Sequence, residues 1–292
     1  MYCSIRDRML TEVFSTPVEG MRHLGVNAVE VELSANFEVM RMDARERVRL
    51  GTDEDAAAYR KHLTGLGVRP CSFLTARDFS AGDPNENARW VARALELASI
   101  LGMDNIRIDS AMSRERELNF EERVRLFAEG LGAALGMTSG LNVAMGIENH
   151  GFQGNNLAFL LNVFRWVGSD RLGVTMDTGN FYWRGYPLSE VYGILGVLAP
   201  YTKHTHLKNI CYPGEMREQT REAGWEYGRY ACPLDEGDVD HARVARLLHD
   251  AGYAGDLCIE DESLGKFAEE ERIRVLERDV AHVKSILAAL SQ

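Results

Sequence analysis

The 292-residue sequence predicts an α/β chain built as a (β/α)8 TIM barrel, and three observations point there. β-Rich segments alternate eight times with stretches of helical period, the links from helix to strand are short and marked by glycine, and the long links run from strand to helix. Such a barrel typically takes about 250 residues, so a single domain over 1–292 uses the chain better than two small ones.

The first strand is expected near 2–5 and its helix near 16–24, after which LGVNA leads into a second strand near 28–33. A long link, 34–51, precedes a helix near 52–65 with Thr52 as its N-cap, and GLGV returns the chain to a third strand near 68–74. After the link 75–83, Asp83 followed by Pro84 opens a helix near 84–101: Asp accepts from the free N–H groups of the first turn, and Pro is tolerated there. LGMDN precedes the fourth strand near 104–109, whose helix lies near 119–139. A fifth strand near 142–148 and helix near 155–166 follow, then a sixth strand near 171–177, the link 178–186 and a helix near 187–199. The seventh strand, near 201–208, carries the longest link, 209–238, before a helix near 239–251 capped by Asp240. DAGYAGD leads to the eighth strand near 255–260 and a last helix near 267–290.

Strand-to-helix loops build the active-site face of this fold. The loop 209–238 is therefore expected to cover the mouth, its Gly214, Gly224 and Gly228 permitting hinge motion beside Trp225 and Tyr227. An open doubly wound sheet alternates in the same way but needs a fingerprint such as GxGxxG after an early strand, and none occurs.

Composition excludes several classes. Hydrophobic residues make up 45% and charged residues 26%, and no apolar run approaches the roughly 20 residues of a membrane helix, so a soluble protein without membrane association is expected. The N-terminus MYCSIRDRML carries no secretory pattern, which makes the cytoplasm the expected location. Cys3, Cys71, Cys211, Cys232 and Cys258 are odd in number, scattered and free of CxxC pairs, so they read as reduced thiols. A net charge of −11 with no basic stripe argues against a nucleic-acid partner. A small neutral or weakly charged substrate fits that composition better.

The chemistry is carried by four strand ends, MGIENH (145–150), VTMDTGN (174–180), HTHLKN (204–209) and LCIEDES (257–263). Strand residues two apart share a face, so Glu148 with His150, His204 with His206, and Glu260 with Glu262 can point to one interior. One such residue alone is usually an ion pair or a surface cap. Glu148, Asp177, His206 and Glu260 together, each following an apolar β segment, are hard to explain as solvated charges. Three carboxylates and one imidazole suit Mn2+, with Mg2+, Co2+ or Zn2+ as alternatives, better than the thiolate-rich sets of structural zinc.

The motifs GIENHG (146–151), MDTGN (176–180), HLKN (206–209), EGDVD (236–240) and GYAGDLCIEDE (252–262) resemble the xylose isomerase-like sugar phosphate isomerase/epimerase barrels. That family includes ketose 3-epimerases, hydroxypyruvate isomerase, inosose dehydratase and 3-dehydroshikimate dehydratase, and the likeness covers nearly the whole chain. It implies one divalent metal on Glu148, Asp177, His206 and Glu260, with Glu148 and Glu260 exchanging protons with a sugar-like substrate. It also makes homo-oligomers common without numbering the subunits. Abstraction next to a carbonyl creates an enediolate whose charge a divalent cation stabilises, and a carboxylate on each side allows epimerisation or isomerisation.

Asn180 stands where ketose 3-epimerases carry a histidine, and Arg217 lies too far after His206 to match the arginine those enzymes place there. His150 resembles the second residue of the Glu-x-His pair of dehydroshikimate dehydratases, which supports a metal-dependent dehydratase as the alternative. Lys208 reads equally as a catalytic donor or as the partner of a barrel carboxylate; His204 reads as a substrate-facing or supporting histidine rather than a fifth ligand. Asn180, His204, Trp183 and Phe152 are the substrate-binding candidates. Among the loop aromatics Phe79, Phe152, Phe181, Tyr182, Trp183, Tyr186, Tyr212, Trp225 and Tyr227, Phe152 and Trp183 lie closest to strand ends. A sugar-binding barrel without turnover and a related repair endonuclease complete the field; the second would need more histidines than these 8 and a basic face.

Overall fold

The computed structural model describes residues 1–290; residues 291–292, the end of the expected domain, lie outside them. Its main sheet has eight parallel strands: β1 (Tyr2–Arg6), β2 (Ala28–Glu32), β3 (Arg69–Thr75), β4 (Asn105–Ile108), β5 (Ala144–Glu148), β6 (Leu172–Asp177), β7 (Thr202–His206) and β8 (Asp256–Ile259). Each is hydrogen-bonded to its neighbours in chain order, and β8 pairs with β1. The seam between β7 and β8 is held by the parallel bridge Leu207 to Ile259, with Leu207 N–H donating to Cys258 O (2.7 Å) and Glu260 N–H to Leu207 O (3.0 Å). The result is a TIM barrel.

Eight main helices follow the strands: α1 (Pro17–Leu24), α2 (Asp53–Leu66), α3 (Pro84–Leu101), α4 (Phe120–Met137), α5 (Leu157–Val167), α6 (Leu188–Leu198), α7 (His241–Asp250) and α8 (Glu269–Leu290). Their starts obey local chemistry. Thr52 and Asp55 form a reciprocal capping box on α2, Asp83 accepts from Asn85 N–H ahead of Pro84, and Asp240 accepts from Arg243 N–H. Among the described residues no helix is long and apolar enough to cross a membrane.

The loops carry structure that periodicity does not announce. Glu38–Met40 pairs antiparallel with Arg47–Arg49, and within 209–238 Asn209–Ile210 pairs with Ala231–Cys232. That long loop packs on the strand ends of the C-terminal face: Arg221 donates to the carbonyls of Tyr182 and Tyr186, and Tyr227 Oη donates to Glu262 at 2.5 Å.

Inward positions repeat every second residue, as strand geometry requires. Gly146, two residues before Glu148, is fitted against Thr175 and the Val174 backbone so tightly that a Cβ would collide, which lets β5 and β6 approach below the site. His241 supports the same region from α7. Its Nε2–H faces Lys208 O (3.3 Å) and Thr178 Oγ1 (3.2 Å). Burial pushes its pKa down to about 4, helped by His282. The folded state keeps this imidazole neutral while the unfolded chain takes a proton near pH 6.5. Its contribution is therefore complete above pH 6.5 and lost as pH falls toward 4, by roughly 3 kcal/mol. Melts of His241→Gln between pH 7 and 4.5 are expected to show a shallower acid slope than the parent; an unchanged slope would refute the assignment.

Candidate metal centre

Glu148, Asp177, His206 and Glu260 emerge at the C-terminal ends of β5, β6, β7 and β8, all buried, and offer one ligand atom each within 4.8 Å of one another. The register of β6 against β7 shifts between Val174 and Thr175, which sets Asp177 directly beside His206. Asn149 braces the same ends, donating to Asp177 O (2.9 Å) and accepting from Asp177 N–H (2.8 Å).

Each carboxylate candidate is anchored through one oxygen and turns the other toward a shared centre. Asp177 Oδ1 accepts from the N–H groups of Gly179 (2.8 Å) and Asn180 (2.7 Å), while Oδ2 is buried without a hydrogen bond. Glu148 Oε2 is forked by Arg107, leaving Oε1 at 3.2 Å from His206 Nδ1. Glu260 Oε1 is bound by Arg6, and its Oε2 is buried, without a hydrogen bond, 3.2 Å from the same Nδ1. His206 Nε2 lies 2.9 and 3.0 Å from the two oxygens of Glu30, an acceptor that places the proton there. Nδ1 faces two carboxylate oxygens, Glu148 Oε1 and Glu260 Oε2, each at 3.2 Å. A cation between them would satisfy all three, and the donor set fits a divalent metal with oxygen preference and one imidazole.

Lys208 supplies part of that charge. Its Nζ is 3.2 Å from Asp177 Oδ2, 3.4 Å from Glu260 Oε2 and 3.0 Å from Glu262 Oε1, an ion pair with each carboxylate. Gly179 gives the lysine its path, since a Cβ there would strike the lysine chain.

Charge states follow from these partners. Burial opposes ionisation of Glu148, but Arg107 and His206 outweigh it and hold the carboxyl well below its ordinary range. Burial raises Asp177, with Lys208 pulling the other way. Lys208 is disfavoured as a cation by burial, yet Asp177, Glu262 and Glu148 raise its pKa and keep it charged. The hydrogen bond to Asp109, 3.0 Å from Nδ1, raises His150, whose ring is 44% exposed at the mouth.

A second group of potential donors, Glu30, His204, His206 and Cys258, lies deeper. It is satisfied internally: His204 bonds Asp256 through Nδ1 and Glu30 through Nε2, each at 2.9 Å, so it offers a cation no free atom comparable to Asp177 Oδ2. Burial disfavours the His204 cation, but Asp256 and Glu30 raise its pKa to about 10. His204, expected to face substrate, is thus fully buried one layer below the mouth, where both ring nitrogens are taken. Asn180 joins the centre itself, donating to Glu148 Oε1 (3.3 Å) and accepting from Lys208 (3.4 Å). Trp183, in a short helix Asn180–Arg184 after β6, packs on Gly224 of the long loop, and Phe152, in the loop after β5, is ringed by Arg116, Arg123 and Arg184.

The sequence pattern of xylose isomerase-like TIM barrels matches residues 18–286. The chain belongs to this family. Inosose dehydratase of Klebsiella pneumoniae (strain 342) is 25% identical over 148 residues, 49% of this chain and 48% of that protein, so the match spans about half the relative's length. Among solved structures, the IolI protein with a bound zinc atom superposes with a TM-score of 0.70 at 14% identity, covering 98% of this chain and 99% of that one. L-ribulose 3-epimerase superposes at 0.68 with 15% identity, covering 100% and 97%. At such identities the likeness speaks for the fold.

This xylose isomerase-like barrel also uses residues that sequence reasoning missed: Arg6, Glu30, Arg107 and Asp109, on or just after strands one, two and four. Arg6 reaches Glu260, Glu30 orients His206, and Arg107 joins Glu148 to Asp109 (3.2 Å). Their signal is a charge at an alternate position of an otherwise apolar strand, as in AVEVE and NIRI.

Proposed function

We propose that this barrel, as one domain, is a divalent-metal-dependent isomerase or epimerase of a sugar or keto-sugar. Glu148, Asp177, His206 and Glu260 would hold the ion, Mn2+ by the balance of oxygen to nitrogen donors, with Mg2+, Co2+ or Zn2+ as alternatives. The observation that carries the reading is the pair of carboxylates flanking one point: Glu148 and Glu260 each place an oxygen 3.2 Å from His206 Nδ1, from opposite sides of the β5 to β8 arc. A bound divalent cation supplies positive charge opposite the oxygens of the enediolate formed from substrate.

The chain's own residues divide the remaining work. One of the two carboxylates takes the proton next to the carbonyl and the other can return one, to the opposite face or the adjacent carbon. Arg107 holds Glu148 ionised and ready to accept. Lys208, charged and hemmed in by Asp177 and Glu262, is placed to donate toward a substrate oxygen, and buried Asn180 keeps Lys208 and Glu148 in register.

The dehydratase alternative is favoured by one observation. His150, hydrogen-bonded to Asp109 and partly exposed, is poised as a general acid for a leaving hydroxyl; the inosose dehydratase relative points the same way. Metal-free protein reconstituted with Mn2+ and incubated in D2O with ketoses, inososes and keto-acids separates the two by NMR and mass. Deuterium next to the carbonyl with the elemental composition retained supports isomerisation or epimerisation, loss of water supports the dehydratase, and absence of exchange across the panel sinks both in favour of sugar binding alone.

A further inference from the structure

Between the loops that follow β4, β5 and β6 lies a small cavity of about 70 Å3, lined in part by Arg123, Phe152, Gln153, Arg184 and Tyr186. Three guanidinium groups gather on the Phe152 ring, with Cζ of Arg116 at 5.0 Å, Arg184 at 5.3 Å and Arg123 at 5.5 Å from its centroid. The ring face attracts each cation, but one quadrupole does not offset the mutual repulsion of three full charges.

Among the described residues none of these arginines has a carboxylate oxygen within 4.0 Å. That is unusual in a chain with 44 acidic against 33 basic residues, where Arg107, Arg114 and Arg125 on nearby segments all pair with acids. Arg123 donates to Glu115 O at 3.3 Å, yet the Nε atoms of Arg123 and Arg184 are both shut off from solvent with no acceptor among the described residues. A buried donor without an acceptor is costly, and two on one cavity wall mark a place for a ligand that brings acceptors. Glu115 stands nearby without filling it: burial raises its carboxyl, against the pull of Arg116 and Arg123, and its Oε2 has no partner.

We propose that this cavity is an oxyanion subsite that holds the carboxylate or phosphate group of the substrate, Arg123 and Arg184 donating to it and Arg116 adding charge. The inference rests on reading the metal centre as acting on a sugar-like molecule, and it makes that molecule a sugar acid or sugar phosphate, in place of the neutral or weakly charged substrate suggested by composition. The spacing permits it. Phe152 lies four residues beyond Glu148 and Arg184 four beyond Asn180, at most about 14 Å along the chain.

The test is calorimetric titration of the full Mg2+-loaded chain, in chloride buffer, with inorganic phosphate in one arm and acetate in the other. Saturable binding is expected, the stronger arm naming the group, and Arg123→Gln and Arg184→Gln should each weaken it about 10- to 100-fold, as loss of a charge-assisted bond does. Arg116→Gln, at an exposed position that leaves the fold intact, should weaken it several-fold. No saturable heat in either arm, or affinity that survives all three substitutions, overturns the subsite. Because anion binding is read without turnover, that result leaves the metal-centre reading standing, and a failed exchange experiment in D2O leaves the subsite standing.

Discussion

Glu260→Gln is expected to retain most of the metal and to lose exchange of the substrate's carbon-bound proton by about 10²–10⁴-fold, the usual contribution of a positioned base. Gln keeps an oxygen where Glu260 Oε2 now lies, 3.2 Å from His206 Nδ1, but cannot accept a proton at neutral pH. The ion pair from Arg6 Nη1 to Glu260 weakens in the variant, so metal affinity should fall modestly. Calorimetric metal titration and deuterium exchange on the same sample read the two effects separately. Parent-like turnover by metal-loaded Glu260→Gln would reduce Glu260 to a ligand, and the proton chemistry would pass to His150 or Lys208, advancing the dehydratase reading. Asp177→Asn provides the contrast. Its Oδ1 is spent on two backbone N–H groups and its Oδ2 meets Lys208, so its loss should act through metal affinity and be relieved by excess metal.

The barrel and half of the candidate site were legible in the sequence for a physical reason. Barrel strands are short apolar runs between glycine-marked turns, so each of the eight strands and eight main helices falls within about three residues of its expected place. The hairpins in 34–51 and 209–238 were not legible, because strands of two or three residues have no period to detect. On β5 to β8 the ligand candidates announce themselves as polar clusters closing apolar strands. Arg6 and Glu30 do not, since each is one charge whose meaning lies in a partner far along the chain; Arg6 and Glu260 are 254 residues apart. His204 shows a subtler limit. Alternation correctly turns it inward with His206, but two residues of rise, about 6.6 Å, separate a residue at the mouth from one in the layer below.

Arg107→Met should destabilise the metal-free protein by about 3–5 kcal/mol, because it strips a buried carboxylate of its main cation. Arg107 forks Glu148 through Nε and Nη2, donates to Thr75 O through Nη1 at 2.8 Å and reaches Asp109 at 3.2 Å, so one side chain ties β3, β4 and β5 together at the mouth. Met fills similar volume without the charge. Glu148, held well below its ordinary range chiefly by this guanidinium against the opposing effect of burial, then rises. The sign follows: the parent carboxyl contributes stability above its unfolded pKa, lost only as pH falls through its depressed folded value, whereas in the variant that contribution disappears and metal must compete with a proton. A fall in melting temperature of roughly 10 °C is expected without metal. Metal addition should recover more of it than in the parent, because the ion replaces part of the missing charge, and affinity should drop more steeply between pH 7 and 5. Arg107→Lys should fall between the two, keeping charge but losing the fork that reaches Glu148 and Thr75 together. If Arg107→Met melts with the parent and binds metal with the same pH dependence, the guanidinium does not set the state of Glu148, and its ionisation must be owed to His206 and the bound cation alone.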